Sequence, residues 1–230
     1  MSDSQAAPAL DSTRDQPLSA AQLADALLLD FVAPGLLHAL GNHLFAIQGS
    51  AHVLGMTKQT TRHRETILES CGKAEHALDV LRHAGPEDAD PPHVEQAGIL
   101  LMRLAEVCRV PLRERGVRLE LGHSSKDSPR RVDARTFIRA VCELLRCVAL
   151  EVPACYSGEL RLDLCEQQGA AVAVELSLQT DPGCLPFRIA LPVARAGAAG
   201  VIGRLGARVD EAGPDRLKLR IPSVVRRREA

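Results

Sequence analysis

Tryptophan is absent from this 230-residue chain, tyrosine occurs once, at Tyr156, and phenylalanine only at Phe31, Phe45, Phe137 and Phe187. So few rings argue against a base-stacking nucleic-acid surface or an aromatic carbohydrate platform. A charge excess is missing too, since 28 Lys and Arg stand against 29 Asp and Glu. A net charge of -1 supplies no bulk pull toward nucleic acid or an anionic membrane. The single like-charge run, Arg226-Arg227-Arg228, reads as a solvated basic tail over 225–230. No apolar run approaches the roughly 20 residues of a membrane span. The N-terminus is rich in Ser, Asp, Ala and Pro and lacks the apolar core of a signal peptide. A soluble, cytoplasmic protein without nucleic-acid or membrane partners is expected.

Paired cysteines are lacking as well. The seven cysteines, Cys71, Cys108, Cys142, Cys147, Cys155, Cys165 and Cys184, are odd in number, scattered, and form no CxxC pair. That usage fits a reducing compartment, with most of them acting as small hydrophobes. No Walker loop, GxSxG elbow or zinc ribbon is present. Among His38, His43, His52, His63, His76 and His83 no pair has the three- or four-residue spacing of helical metal ligands. Neither a metal site nor a bound cofactor is expected.

What the chain does contain is periodicity. Residues 1–18 show none and are expected to be a disordered tail. Ser19 is placed to cap a helix beginning at Ala20, and Pro34-Gly35 is expected to punctuate it. Leu37, Leu40, Leu44, Ile47, Ala51 and Leu54 then follow at spacings of three and four, a heptad seam. After a polar break at Thr57–Thr61, Ile67, Cys71, Ala74, Leu78 and Leu81 repeat the pattern up to Gly85-Pro86. Two such helices make an antiparallel hairpin, which cannot enclose a bundle core alone. A twofold dimer completes a four-helix bundle.

The rest reads as α+β. A helix is expected over about Glu95–Glu114, bent or interrupted near Pro111, then a strand at Val117-Leu119-Leu121 and a loop from Gly122 to Arg130. Asp133 is placed to cap a helix whose face is Phe137, Val141, Leu144 and Val148. Alternating runs follow at Leu160–Leu164 and Val172–Leu178, then a small-residue helix at Ala194–Leu205 and strands at Arg208–Glu211 and Leu217–Ile221. The expected organisation is a tail (1–18), a hairpin (19–85), a linker (86–93), an α/β domain (94–224) and a basic tail (225–230).

If the leucines face the seam, His38 and Asn42 lie one turn apart on the outer surface, with Phe45 and His52 on the same strip. By itself a histidine on a wet helix face is usually nothing. The stretch His38-Ala39-Leu40-Gly41-Asn42-His43-Leu44-Phe45-Ala46-Ile47-Gln48-Gly49, however, resembles the phosphoacceptor box of histidine kinases. The histidine, Leu40, Asn42, Leu44 and Ile47 match that box. Ala39 departs from it, because the family's general-base carboxylate usually stands there. The resemblance implies that His38 carries phosphate, with Asn42 orienting a water or phosphate oxygen. Phe45, Gly49 and His52 would form the docking strip for a response-regulator receiver domain, which would supply Mg²⁺.

The second half is similar in order and length to the kinase ATP-binding domain, but its boxes are eroded. Glu143 keeps the acidic position, expected to be solvated, and Cys147 stands where an asparagine should ligate Mg²⁺. The adenine-contacting Asp-x-Gly-x-Gly is reduced to Asp181-Pro182-Gly183, with Leu185 in place of the last glycine. Gly197, Gly200 and Gly203 read as close helix packing in place of a glycine-rich lid. The implied activity is histidine phosphotransfer between receiver aspartates within a homodimer, without ATP-dependent kinase activity. A non-catalytic dimerisation scaffold and a divergent active kinase are the alternatives.

Overall fold

A computed structural model describes residues 19–54, 56, 60–86, 92–123, 129–153, 155–166, 171–182, 191–213 and 216–223. The expected tails at 1–18 and 225–230, most of the linker, Gly183 and Leu185 lie outside the described residues.

Helix α1 covers Ala20–Leu54. The Ser19 hydroxyl accepts from the Gln22 N–H at 3.2 Å, while the Ser19 N–H donates to the Gln22 side chain at 2.9 Å. This reciprocal capping box satisfies two otherwise orphaned donors, as Ser19 foretold. The expected break at Pro34-Gly35 does not occur, and the helix runs straight through. Proline removes only its own bond to the carbonyl four residues back. On either side of it Val32, Gly35 and Leu36 are buried, and that packing outweighs proline's cost of about 3 kcal/mol. Helix α2, Thr60–Ala84, returns along α1 and stops at Gly85, whose N–H closes on the Leu81 carbonyl at 3.0 Å.

The helix expected from Glu95 starts two residues later. Val94–Gln96 forms β1, antiparallel to β3 (Arg131–Asp133), and α3 spans Ala97–Arg113. Pro111 lies within the last turn of α3 and does not interrupt it. Gly116, at φ 76°, turns the chain into β2, Val117–Leu121. A Cβ there would meet the Tyr156 carbonyl oxygen at 1.9 Å, so a side chain is excluded by space as well as by φ.

Asp133 caps α4 (Ala134–Glu151) by accepting the Thr136 N–H at 2.8 Å, as its position predicted. Strands β4 (Gly158–Glu166) and β5 (Ala171–Thr180), helix α5 (Leu191–Arg204), and strands β6 (Arg208–Gly213) and β7 (Arg216–Pro222) complete the chain. The sheet order is β2-β4-β5-β7-β6, with β2 and β4 parallel and the other pairs antiparallel. In β7 Leu217, Leu219 and Ile221 are buried while Arg216 and Arg220 are exposed, so helices cover one face. The fold class is α+β.

The hairpin is joined to this half by polar contacts as well as packing. Arg139, 5% exposed, donates to the Gly85 carbonyl at 2.6 Å and to the Asp25 carboxylate. Arg135 donates to the Pro86 carbonyl at 2.9 Å. Two arginines of α4 therefore hold both the start of α1 and the end of α2.

One expectation from composition needs correction. Helix α1 contains an 18-residue window of mean hydropathy 1.6, long and apolar enough by composition to cross a membrane. It is apolar on two sides. Leu28, Val32, Leu36 and Ala39 enter the core, whereas Leu23, Leu27, Leu37, Leu44 and Phe45 stand exposed.

Candidate functional site

His38 and Asn42 are both exposed on α1, and Asn42 Nδ2 lies 3.1 Å from His38 Nε2. With the amide donating, Nε2 is the lone-pair nitrogen and the neutral ring carries its proton on Nδ1. The i, i+4 spacing makes this pairing possible, because such residues are neighbours on a helix.

The pair does not face open solvent alone. It borders a cavity of about 360 Å³ whose other walls include Glu106, Arg109 and Arg113 of α3 and Glu120 of β2. His43 reaches the same space with its side chain 12% exposed, its Nε2 3.4 Å from Glu106 Oε1 without an aligned hydrogen bond. Ala39 also lines the cavity but is only 5% exposed. A carboxylate at that core position would lose its hydration, which gives a physical reason for the departure from the kinase box.

Phe45, 78% exposed, and the exposed Gly49 and His52 continue along α1 on the side of His38, beyond the cavity. The structure thus brings His38 and Asn42 together and leaves the other three as a separate surface. Glu106, Arg109 and Arg113 have no place in the expectations from sequence, where His43 figures only among the histidines weighed as metal ligands. One signal was available: Glu106, Arg109 and Arg113, at spacings of three and four, extend a polar strip that starts at Arg103 on a mainly apolar helix.

The positions of the nucleotide boxes are occupied by internal partners. Glu143 is not solvated: it is buried, and Arg146 donates to both its carboxylate oxygens at 2.8 Å. An arginine three residues on can fold back over it, which a solvated reading overlooks. Cys147 Sγ lies 3.6 Å from Glu143 Oε1, and burial, reinforced by that carboxylate, pushes the thiol up to about 12. Helix α5 closes on it, with a Cβ at Gly197 falling 3.4 Å from the sulfur. Gly200 and Gly203 have nothing within 4 Å of such a Cβ, so close packing explains only the first of the three glycines.

Asp181 is similarly committed. Arg118 of β2 donates to its two oxygens at 2.9 and 2.6 Å, and the Ser157 hydroxyl donates at 2.6 Å. The Arg118 hydrogen bond, then that from Ser157, holds the carboxyl down to about 2. Because the folded value lies below the ordinary 3.8, the pair stabilises the fold above about pH 4. That contribution fades as pH falls through about 2. The melting-temperature gap between wild type and Asp181→Asn is therefore expected at pH 7, unchanged to pH 5, and closing toward pH 2. A gap that widens on acidification would contradict the assignment.

No family profile and no curated protein matches the chain. Among solved structures it is similar to a bacterial phosphotransferase, at 15% identity and a TM-score of 0.37, with 89% of this chain and 98% of that one covered. It is similar to the Acinetobacter baumannii histidine kinase AdeS at 14% identity and a TM-score of 0.40, covering 82% and 98%. The Erythrobacter litoralis EL346 blue-light activated histidine kinase gives 14% identity and a TM-score of 0.42, covering 83% and 62%.

Proposed function

We propose that this protein is a dimeric two-component phosphotransfer protein in which His38 relays phosphate between receiver-domain aspartates. The observation that carries the reading is the exposed His38–Asn42 pair, with Asn42 Nδ2 set 3.1 Å from the ring's Nε2. In the forward step the Asn42 amide swings off Nε2, and the freed lone pair attacks the phosphorus of an aspartyl phosphate. The N–P bond forms as the P–O bond breaks, the aspartate leaves as a carboxylate, and the ring keeps its Nδ1 proton. The reverse step delivers phosphate to a second receiver. Mg²⁺ supplied by the receiver would neutralise charge on the transferring group. Phe45, Gly49 and His52 form the receiver's docking strip in this reading.

ATP is not the donor we propose. The carboxylates at both eroded nucleotide boxes, Glu143 and Asp181, are held by arginines. A buried thiol at Cys147 is also a poor partner for a hard cation. Purified full-length protein incubated with a phosphorylated receiver is expected to take label, and with ATP to take none. Label from ATP would make it a kinase, and label from neither would leave a scaffold.

The homodimer rests on the seam. Leu37 and Leu44 on α1 are 71% and 61% exposed, and Leu78 and Leu81 on α2 are 49% and 40% exposed. A second hairpin would cover these leucines and leave the His38 strip reachable. Replacing Leu37 and Leu44 together by Glu is expected to convert a dimer to a monomer in sedimentation equilibrium. An unchanged mass for the double variant would remove the seam from the interface.

A further inference from the structure

We propose that the cavity beside His38 is a phosphoryl-anion site, in which Arg109 and Arg113 of α3 hold the phosphate while it sits on His38. This deepens the relay reading and rests on it.

The cavity joins the histidine to arginine N–H donors that have no acceptor among the described residues. The Arg113 side chain makes no ion pair or hydrogen bond among the described residues. Arg109 spends its Nε–H on the Leu119 carbonyl at 3.4 Å, which leaves its terminal nitrogens. Arg118 borders the same space but is committed to Asp181. Opposing them are two carboxylates. Glu106, with Oε1 3.4 Å from His43 Nε2, and Glu120 both line the cavity and stand against Arg109 and Arg113. The two arginines match the two carboxylates in charge, and what they offer a phosphoryl group is free guanidinium N–H donors. Planar guanidinium groups four residues apart on one helix can meet its oxygens with charge-assisted hydrogen bonds.

Two further features support the assignment. The His43 Nε2 atom is buried without a hydrogen-bond partner on the cavity wall, a polar group left for something absent from the protein. Ala39, the smallest side chain able to fill its core position, leaves the wall between α1 and α3 open.

Capture makes and breaks no covalent bond. The phosphoryl oxygens exchange water for guanidinium N–H donors, and the N–P bond formed in transfer remains. Because His38 lies on the hairpin and the arginines on the flanking domain, the phosphoryl group bridges the two. The α/β half then acts as the holder of the phosphorylated state, with no need of nucleotide.

The test measures the lifetime of label on His38 in the full-length protein after transfer from a phosphorylated receiver and removal of that receiver. The Arg109→Gln/Arg113→Gln double variant is expected to lose label about tenfold faster than wild type, the scale of losing charge-assisted hydrogen bonds. Arg195→Gln, which disrupts an exposed ion pair with Glu211, is the matched control. Equal lifetimes in wild type and double variant overturn this proposal and leave the relay standing. A wild type that never takes label overturns both. Should the double variant fail to fold, inorganic phosphate titrated into wild type decides the matter by NMR. Saturable shifts of the His38 and His43 ring resonances support the site, and their absence refutes it.

Discussion

His38→Gln protein, folded and with its oligomeric state intact, is expected to take no label from a phosphorylated receiver domain. Loss of transfer should be at least about a thousandfold, the order found when a nucleophile is removed from a group acting as a unit. Glutamine keeps a polar, flexible side chain of similar reach but has no lone-pair nitrogen able to attack phosphorus. Since residue 38 is exposed, the substitution should change stability by no more than about 0.5 kcal/mol. Chemistry and folding are therefore separable at this position. Asn42→Ala should cost far less, about tenfold, because it removes one orienting hydrogen bond and leaves the nucleophile. A His38→Gln protein that transfers phosphate normally would transfer the role to another residue, and acid-labile phosphate mapped by peptide would identify it.

The second large effect concerns folding. Gly35→Ala is expected to destabilise the protein by about 3 kcal/mol or more, toward or beyond the upper end of ordinary overpacking costs. A Cβ at residue 35 would lie 1.7 Å from the Val107 carbonyl oxygen and 2.7 Å from its carbon. Both are backbone atoms, so no rotamer change relieves the clash, and α1 must move away from α3. The cause runs back to Pro111, four residues beyond Val107, which has no N–H to give that carbonyl. The released oxygen is the atom that a Cβ at residue 35 would strike first. Helix propensity alone predicts the opposite sign, a gain of about 1 kcal/mol for alanine over glycine. That gain should appear at Gly41 and Gly49, where a Cβ meets nothing within 4 Å. Thermal melts of the three alanine variants decide between the two effects. A Gly35→Ala protein melting at or above wild type would show that α1 and α3 do not meet as described.

Much of the local structure was legible because its causes are local. Ser19 and Asp133 cap helices through side chains that reach three residues, a distance visible in any sequence. The alternation of Leu160, Leu162 and Leu164, and of Leu217, Leu219 and Ile221, follows from a sheet buried on one side. The spacing of His38 and Asn42 likewise guarantees that they meet once α1 forms. The errors have the opposite character. Propensity predicts a break at Pro34 and a bend or break at Pro111 because it counts the lost hydrogen bond. Packing of Val32, Leu36, Val107 and Leu112 into the core was the larger quantity. Glu143 was read as solvated because nothing local reveals that α4 is enclosed on nearly every side.

The sequence by itself determined the helical hairpin, the α+β class, and a histidine with an asparagine one turn away. Those follow from periodicity and caps, which act over a few residues. Only the tertiary structure decided what surrounds that histidine. Glu106, Arg109 and Arg113 reach the cavity because α1 crosses α3 closely at Gly35, and Arg118 finds Asp181 across 63 residues of chain. Arg139 joins Asp25 across 114 residues and fixes the hairpin against α4. Charges separated so far along the chain carry no periodic signal. Their meeting depends on which faces the core leaves free, and that is settled only when the whole chain packs.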